Sequence, residues 1–373
     1  MLHTSIVDSL SDAMAGLRPG ASGARRRLAR GRALARRTAL SRAVVGVLVS
    51  TGVIPSADWT ERESRWSDTG VAMVPIGPPA EPARMIIKFA GPGRNLEGLR
   101  SQQDRLTRLH SDSRVAGWSG IVPQVINTGI IDSLPYFVET ALPGVPATRL
   151  ISDARSRAAF LPIAGEVIAE LHARTAVPAR VDDAILERWV EVPVRAIAAA
   201  LEPHRRMGRE TRGTLEDVRQ ELRSAFVDRD VLVGWMHGDY WPGNVLVDPD
   251  GRRITGIVDW DLSSDRELAI HDPLHFILLT RRLVSGHEFG DVVRGLLAGD
   301  SLEPSERSTL AAAGLQPAAW DRDARESLTL AWLRHVGAFM AVPGHGTNPR
   351  WVRRNVLSVL DQLRQRRPDV GQL

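Results

Sequence analysis

Cysteine is absent from this chain. That excludes a disulfide framework and thiol chemistry, and it is compatible with a cytosolic setting. No apolar run is long enough to cross a bilayer. There is no internal repeat, no Gly-x-Gly-x-x-Gly phosphate loop, and no low-complexity tract apart from one arginine-rich run. Lysine is nearly absent too: Lys88 is the single one, and every other basic residue of the Lys/Arg class is arginine. The 373 residues, 43 % hydrophobic with 10 tryptophans, suffice for two lobes and a large core. The net charge of +4 is modest, and the high pI of about 10.3 reflects arginine's high pKa, so global charge does not argue for nucleic acid.

The densest chemistry lies in WMHGDYWPGNVLVDPDGRRITGIVDWD, from Trp235 to Asp261. His237, Asp239 and Asn244 fall in one tight loop. Asp239 precedes Asn244 at the spacing of kinase catalytic loops, where the aspartate orients or receives the attacking hydroxyl and the asparagine holds magnesium. Residues 245–248 and 254–260 read as two β-strands around the turn-forming Asp-Pro-Asp-Gly. Two antiparallel strands return Asn244 and Asp259 to the same end of the hairpin, where one divalent ion could bind both. An oxygen donor set without cysteine suits a hard cation such as Mg²⁺, not zinc.

A second signal is Lys88 in the short β-branched strand MIIKF. Retention of an ammonium against a strong arginine bias fits a contact to the α- and β-phosphates of ATP, which asks for a compact charge on a flexible stem. The alternative is a leftover surface lysine on an edge strand. Next, the helical pattern over residues 95–110 places Leu96, Leu99, Gln103, Leu106 and His110 on one face. Glu97, near the helix start, and Gln103, the polar member of the stripe, are both candidate partners for Lys88.

HGDYWPGN followed by IVDWD resembles the catalytic signature of the aminoglycoside phosphotransferase and choline kinase-like enzymes, which share a bilobal fold with protein kinases. The resemblance implies that Asp239 is the catalytic aspartate, that His237 buttresses its loop, that Asn244 and Asp259 are the metal ligands, and that Lys88 is the nucleotide-phosphate lysine. It also makes YFVETALPG, residues 136–144, the hinge that binds adenine through the Thr140 carbonyl and the Leu142 amide. The implied reaction is transfer of the γ-phosphoryl group of ATP, with Mg, to a hydroxyl of a small molecule: an aminoglycoside, a sugar or an amino-alcohol. Asp265, Glu267 and Asp272 are placed where acids of such enzymes bind amino-sugars, or are plain surface charges. A catalytically silent nucleotide-binding scaffold is the alternative, although such a chain would be expected to have lost Asp239, Asn244 or Asp259. Many relatives carry a second aspartate in a DP-x-x-D string to brace the catalytic loop. Here HDPLHF has Phe276 at that place, leaving Asp272 or His275 to rebuild the brace, or Asp272 as a helix N-cap before Pro273.

The implied fold is α+β, with a small β-rich N-lobe over residues 56–142 and a larger, mainly helical C-lobe over 143–373. Residues 1–55 read as a basic helical extension in which ARRRLARGRALARRTALSR precedes an apolar run. Leu28, Leu34, Leu40 and Val44 would pack it on the small lobe, while a membrane or nucleic-acid contact is the lesser alternative. ATP use, like the absence of cysteine, points to the cytoplasm.

Overall fold

A computed structural model describes residues 38–62, 64–66, 71–90, 96–202, 209–314, 322–342, 346 and 348–365. Leu28, Leu34 and most of the arginine-rich run lie outside the described residues. The chain divides into two compact units, residues 1–143 with 256–261, and residues 144–255 with 262–373.

The first unit is built on an antiparallel sheet. Its strands are β1 (Thr60–Glu61), β2 (Arg65–Trp66), β3 (Val71–Gly77), β4 (Met85–Ala90), β5 (Val125–Ile131) and β6 (Leu134–Thr140), in the order β1-β3-β4-β6-β5 with β2 also on β3. Alternation of side chains along the strands divides the sheet into two faces. Ala72, Val74, Ile76, Ile87, Phe89, Tyr136 and Val138 form one face, and α1 (residues 38–50) covers it with Leu40, Val44, Val45 and Leu48. Each Val, Leu, Ile or Phe among them, fully buried, contributes roughly 1.5–3 kcal/mol. The core therefore holds β4 as a central strand, which removes the edge-strand reading of Lys88.

Helix α2 spans Leu96–Ser111 and buries Leu99, Gln102, Leu106 and Leu109. The inward stripe is thus one residue out of phase with the sequence reading at its polar position: Gln102 points inward. Leu96 and Glu97 are exposed, and Gln103 is only half-buried. A three-four spacing back from Leu106 reaches either residue, and packing selects Gln102.

The second unit is mainly helical. Two small three-stranded sheets interrupt the helices: β7 (Val145–Pro146) with β10 (Val245–Val247) and β11 (Ile254–Ile257), and β8 (Val177–Arg180) with β9 (Asp230–Met236) and β12 (Ser264–Leu268). The principal helices are α3 (Ala154–Thr175), α4 (Val192–Leu201), α5 (Arg209–Phe226), α6 (His271–Ser285), α7 (Phe289–Ala298), α8 (Pro304–Ala312), α9 (Arg322–Ala341) and α10 (Ser358–Gln365). Their apolar faces meet around Trp189, Phe226 and Trp332, with the Trp189 and Phe226 rings edge to face at 6.1 Å. No helix among the described residues is long and apolar enough to cross a membrane.

The return strand of the hairpin is shorter than its sequence suggests. β11 ends at Ile257, so Asp259 lies beyond it, with a left-handed backbone at φ 67°. The turn is closed by Asp248, which accepts from the Arg252 and Arg253 amides at 2.8 and 3.2 Å.

Candidate active site

Strand β9 carries an apolar run up to Met236 and then releases His237, Gly238 and Asp239. β12 begins opposite that exit, with Ser264 registered on Met236. The release needs glycine: Gly238 has φ 86°, and a Cβ there would meet the Leu262 carbonyl oxygen at 2.3 Å.

Three buried side chains fix this turn. Asp272, in the first turn of α6, accepts from the His237 amide at 2.8 Å and the Gly238 amide at 2.9 Å. His172 of α3 donates from Nε2 to the same carboxylate at 3.0 Å. Burial alone would raise the Asp272 carboxyl, but these donors outweigh it and hold the group below the usual aspartate range. His237 is completely buried, and its Nδ1 accepts from the Asp239 amide at 3.2 Å. Its place is therefore in the support of the loop.

Asp272 is a brace and not an N-cap, because α6 begins at His271, with Ile270 at the cap position. Phe276 takes no polar role. Its ring lies 5.0 Å from Tyr240 and 6.0 Å from Phe160, and the Tyr240 hydroxyl donates to the Ala164 carbonyl at 2.8 Å. Aromatic packing thus stands where a second aspartate was expected.

Both carboxylate oxygens of Asp239 are held. Asn244 donates from Nδ2 to Oδ2 at 2.9 Å and to the Asp239 carbonyl at 3.0 Å, while His275 Nε2 lies 3.0 Å from Oδ1. Burial raises the Asp239 carboxyl and the His275 contact lowers it, with a net position below the ordinary value. The side chain is still 31 % exposed, so it remains reachable. Asn244 spends its amide nitrogen on Asp239, which leaves its carbonyl oxygen as the atom able to meet a cation.

In the first unit Lys88 pairs with Glu139, at 2.8 Å between Nζ and Oε1. Neither Glu97 nor Gln103 is the partner. Lys88 on β4 faces Phe137 on β6, and Ile86 faces Glu139, so lysine and glutamate are diagonal neighbours on the sheet face away from α1. Burial pushes the Glu139 carboxyl up, opposed by Lys88. An acid inside the apolar strand YFVET calls for a cation, but arginine is abundant in this chain, so only the register of β4 with β6 selects Lys88.

Asp259, also in the first unit, accepts from Gln102 Nε2 at 3.2 Å. Trp260 beside it is buried edge to face on Trp118 at 6.1 Å and donates to the Ile257 carbonyl at 2.8 Å. Thr140 closes β6, with its amide on the Gln124 carbonyl and its hydroxyl accepting from the Gln124 amide, each at 2.9 Å. Leu142 follows the strand and is half-buried.

The acids considered for amino-sugar binding are mostly committed elsewhere. Glu267 is buried and ion-paired with Arg334, with Arg188 at 3.8 Å. Asp272 is the brace, and Asp265 on β12 is half-buried.

The pattern of the phosphotransferase enzyme family (APH) matches residues 68–270. The chain belongs to this family. An aminoglycoside 3'-phosphotransferase of Streptomyces fradiae is 30 % identical over 213 residues, covering 55 % of this chain and 74 % of that protein. A second, from Streptomyces ribosidificus, is 32 % identical over 142 residues, or 37 % of this chain and 51 % of the relative. Among solved structures, the GDP complex of wild-type aminoglycoside 2'-phosphotransferase-IIIa superposes with a TM-score of 0.52 at 13 % identity, covering 87 % of this chain and 99 % of that one. A thermostable variant of APH(4)-Ia, in complex with ADP and hygromycin B, gives 0.51 at 16 % identity over 86 % and 98 %. These likenesses establish the protein kinase-like fold of the phosphotransferase family, with a β-rich N-lobe and a helical C-lobe.

Proposed function

We propose that this phosphotransferase moves the γ-phosphoryl group of ATP to a hydroxyl of a small polyhydroxylated acceptor, with an aminoglycoside favoured by the Streptomyces relatives. The observation that carries this reading is the geometry of Asp239: partly exposed, and fixed on both carboxylate oxygens by Asn244 and His275.

The transition state of phosphoryl transfer is loose, so the protein's task is alignment and charge neutralisation. Asp239 aligns the acceptor hydroxyl and takes its proton late. Lys88 steadies the α- and β-phosphates, and its pairing with Glu139 fixes the position of the ammonium. The Thr140 carbonyl and the Leu142 amide receive adenine. Asn244 and Asp259 are assigned to Mg²⁺, which when bound neutralises phosphate charge. Their donors are a carboxamide oxygen and a carboxylate, the chemistry a hard cation requires. No cluster of three or more His, Asp or Glu side chains suited to a metal occurs among the described residues.

An ATP-consumption assay of the purified protein, with Mg²⁺ and panels of aminoglycosides, sugars and amino-alcohols, tests the reading. Acceptor-dependent ADP release supports it. Nucleotide binding without turnover on any panel would replace it with a silent scaffold.

A further inference from the structure

Helix α6 reaches the catalytic loop twice from one face. Asp272 and His275 are three residues apart, so their side chains project on the same side of the first turn. Asp272 holds the backbone of the loop through the His237 and Gly238 amides. His275 reaches past the backbone to the Asp239 carboxylate. Asp272 supplies the brace for which both residues were candidates, so His275 is left with a contact of its own to Asp239 that phosphoryl transfer does not by itself require.

We propose that His275 is a positioning residue for the reaction, one that sets the orientation of the Asp239 carboxylate; the inference rests on the catalytic reading of Asp239. Three observations support it. First, a carboxylate oxygen accepts, so Nε2 of His275 carries the proton and donates at 3.0 Å. Together with the 2.9 Å bond from Asn244 to the other oxygen, this prevents the carboxylate from turning about its last torsion. Second, His275 is itself held: its side chain is 9 % exposed, with the His335 ring of α9 at 4.9 Å and the Phe289 ring of α7 at 6.3 Å. Third, His335 and Phe289 lie ring against ring at 4.0 Å, so the support of His275 is an aromatic wall drawn from two helices. An attacking hydroxyl must meet Asp239 in the one orientation these two donors leave.

The test compares His275→Leu with His275→Gln. Glutamine places its amide donor close to where imidazole has Nε2, whereas leucine keeps the bulk and loses the donor. The expected result is a fall in kcat of about 10²-fold for His275→Leu, the scale of a misaligned reacting group, with KM for ATP changed less than about threefold and activity within about fivefold of wild type for His275→Gln. A leucine variant with wild-type kcat overturns the proposal, as does an equal loss in both variants, which would mark packing alone. A readout independent of turnover is ¹⁵N NMR of histidine-labelled protein. The Nε2–H resonance assigned through its loss in His275→Gln should shift in Asp239→Ala; an unmoved resonance refutes the contact. If wild type turns over no acceptor, the catalytic reading fails while the NMR result still decides whether His275 grips Asp239.

Discussion

Lys88 and Glu139 form a buried ion pair across adjacent strands, 2.8 Å apart with side-chain exposures of 4 % and 2 %. Its partners lie on β4 and β6, both central to the sheet. The pair is therefore part of the wall of the first unit and available only along one face. A buried pair of this kind is costly to break and cheap to replace as a whole, since truncating one partner strands the other's charge. Glu139→Ala should destabilise the protein by about 3–5 kcal/mol, whereas Lys88→Met with Glu139→Leu should come close to wild-type stability and lose catalytic efficiency with ATP. Chemical denaturation of the two variants checks the first statement and steady-state kinetics the second. A Glu139→Ala protein of wild-type stability would show that the pair contributes nothing.

Asp272 gives the fold an acid-sensitive point. Its folded-state pKa lies below the ordinary aspartate value of 3.8 because of burial opposed by stronger donors, His172 foremost. A depressed carboxyl contributes stability above the unfolded-state pKa and loses it as pH falls through the folded-state value. Unfolding free energy should therefore drop between about pH 4 and the lower folded-state pKa, and Asp272→Asn should flatten that part of the curve while lowering the plateau. Denaturation at a series of pH values reads both. An unchanged acid slope in the variant would mean that other carboxylates carry the effect.

What the sequence reveals of this protein follows the range of the interactions involved. The HGDYWPGN string makes the loop of Asp239 and Asn244 legible, because five residues of spacing is local geometry and the structure bonds Asn244 Nδ2 to the Asp239 carboxylate. IVDWD, in contrast, reads as strand to residue 260, and β11 stops at Ile257. Lys88 stands out through composition. Its partner does not, because Glu139 lies 51 residues on and meets it only through the register of β4 with β6, which is decided by packing on α1. The Gln102 and Gln103 ambiguity arises from the helical period: either fits a three-four spacing, and only the neighbours of the helix choose. His335 gives no signal at all, since a histidine in AWLRHVGAF is indistinguishable from any helix-face residue until α7 and α9 bring it to Phe289.

The turn at Gly238 predicts opposite outcomes for two glycine substitutions. Gly238→Ala adds a Cβ at 2.3 Å from the Leu262 oxygen in a left-handed backbone. It should cost roughly 1–3 kcal/mol and displace Asp239, lowering kcat in proportion to the shift. Gly213, exposed in α5 with open space around its Cβ direction, should behave in the reverse sense. Gly213→Ala should stabilise by about 0.5–1 kcal/mol with unchanged kinetics. Thermal melts and initial rates of both variants distinguish strain at the loop from a general intolerance of alanine.

Asp239→Asn separates chemistry from binding. The substitution keeps the shape of the side chain but replaces one acceptor oxygen with a donor, which must face Asn244 Nδ2 or His275 Nε2, both of them donors toward this group. The variant thus loses the base and gains a repulsive contact at the same atoms. Turnover should fall by at least about 10²–10⁴-fold, the scale of a general base. The nucleotide contacts are assigned to Lys88, Thr140 and Leu142 of the first unit, whereas Asp239 belongs to the second. ADP affinity measured by calorimetry should therefore stay within about twofold of wild type, well under the tenfold that corresponds to 1.4 kcal/mol. Full activity in Asp239→Asn would remove Asp239 from the reaction. Loss of ADP binding together with turnover would mean that the loop, and not the carboxylate alone, supports the nucleotide.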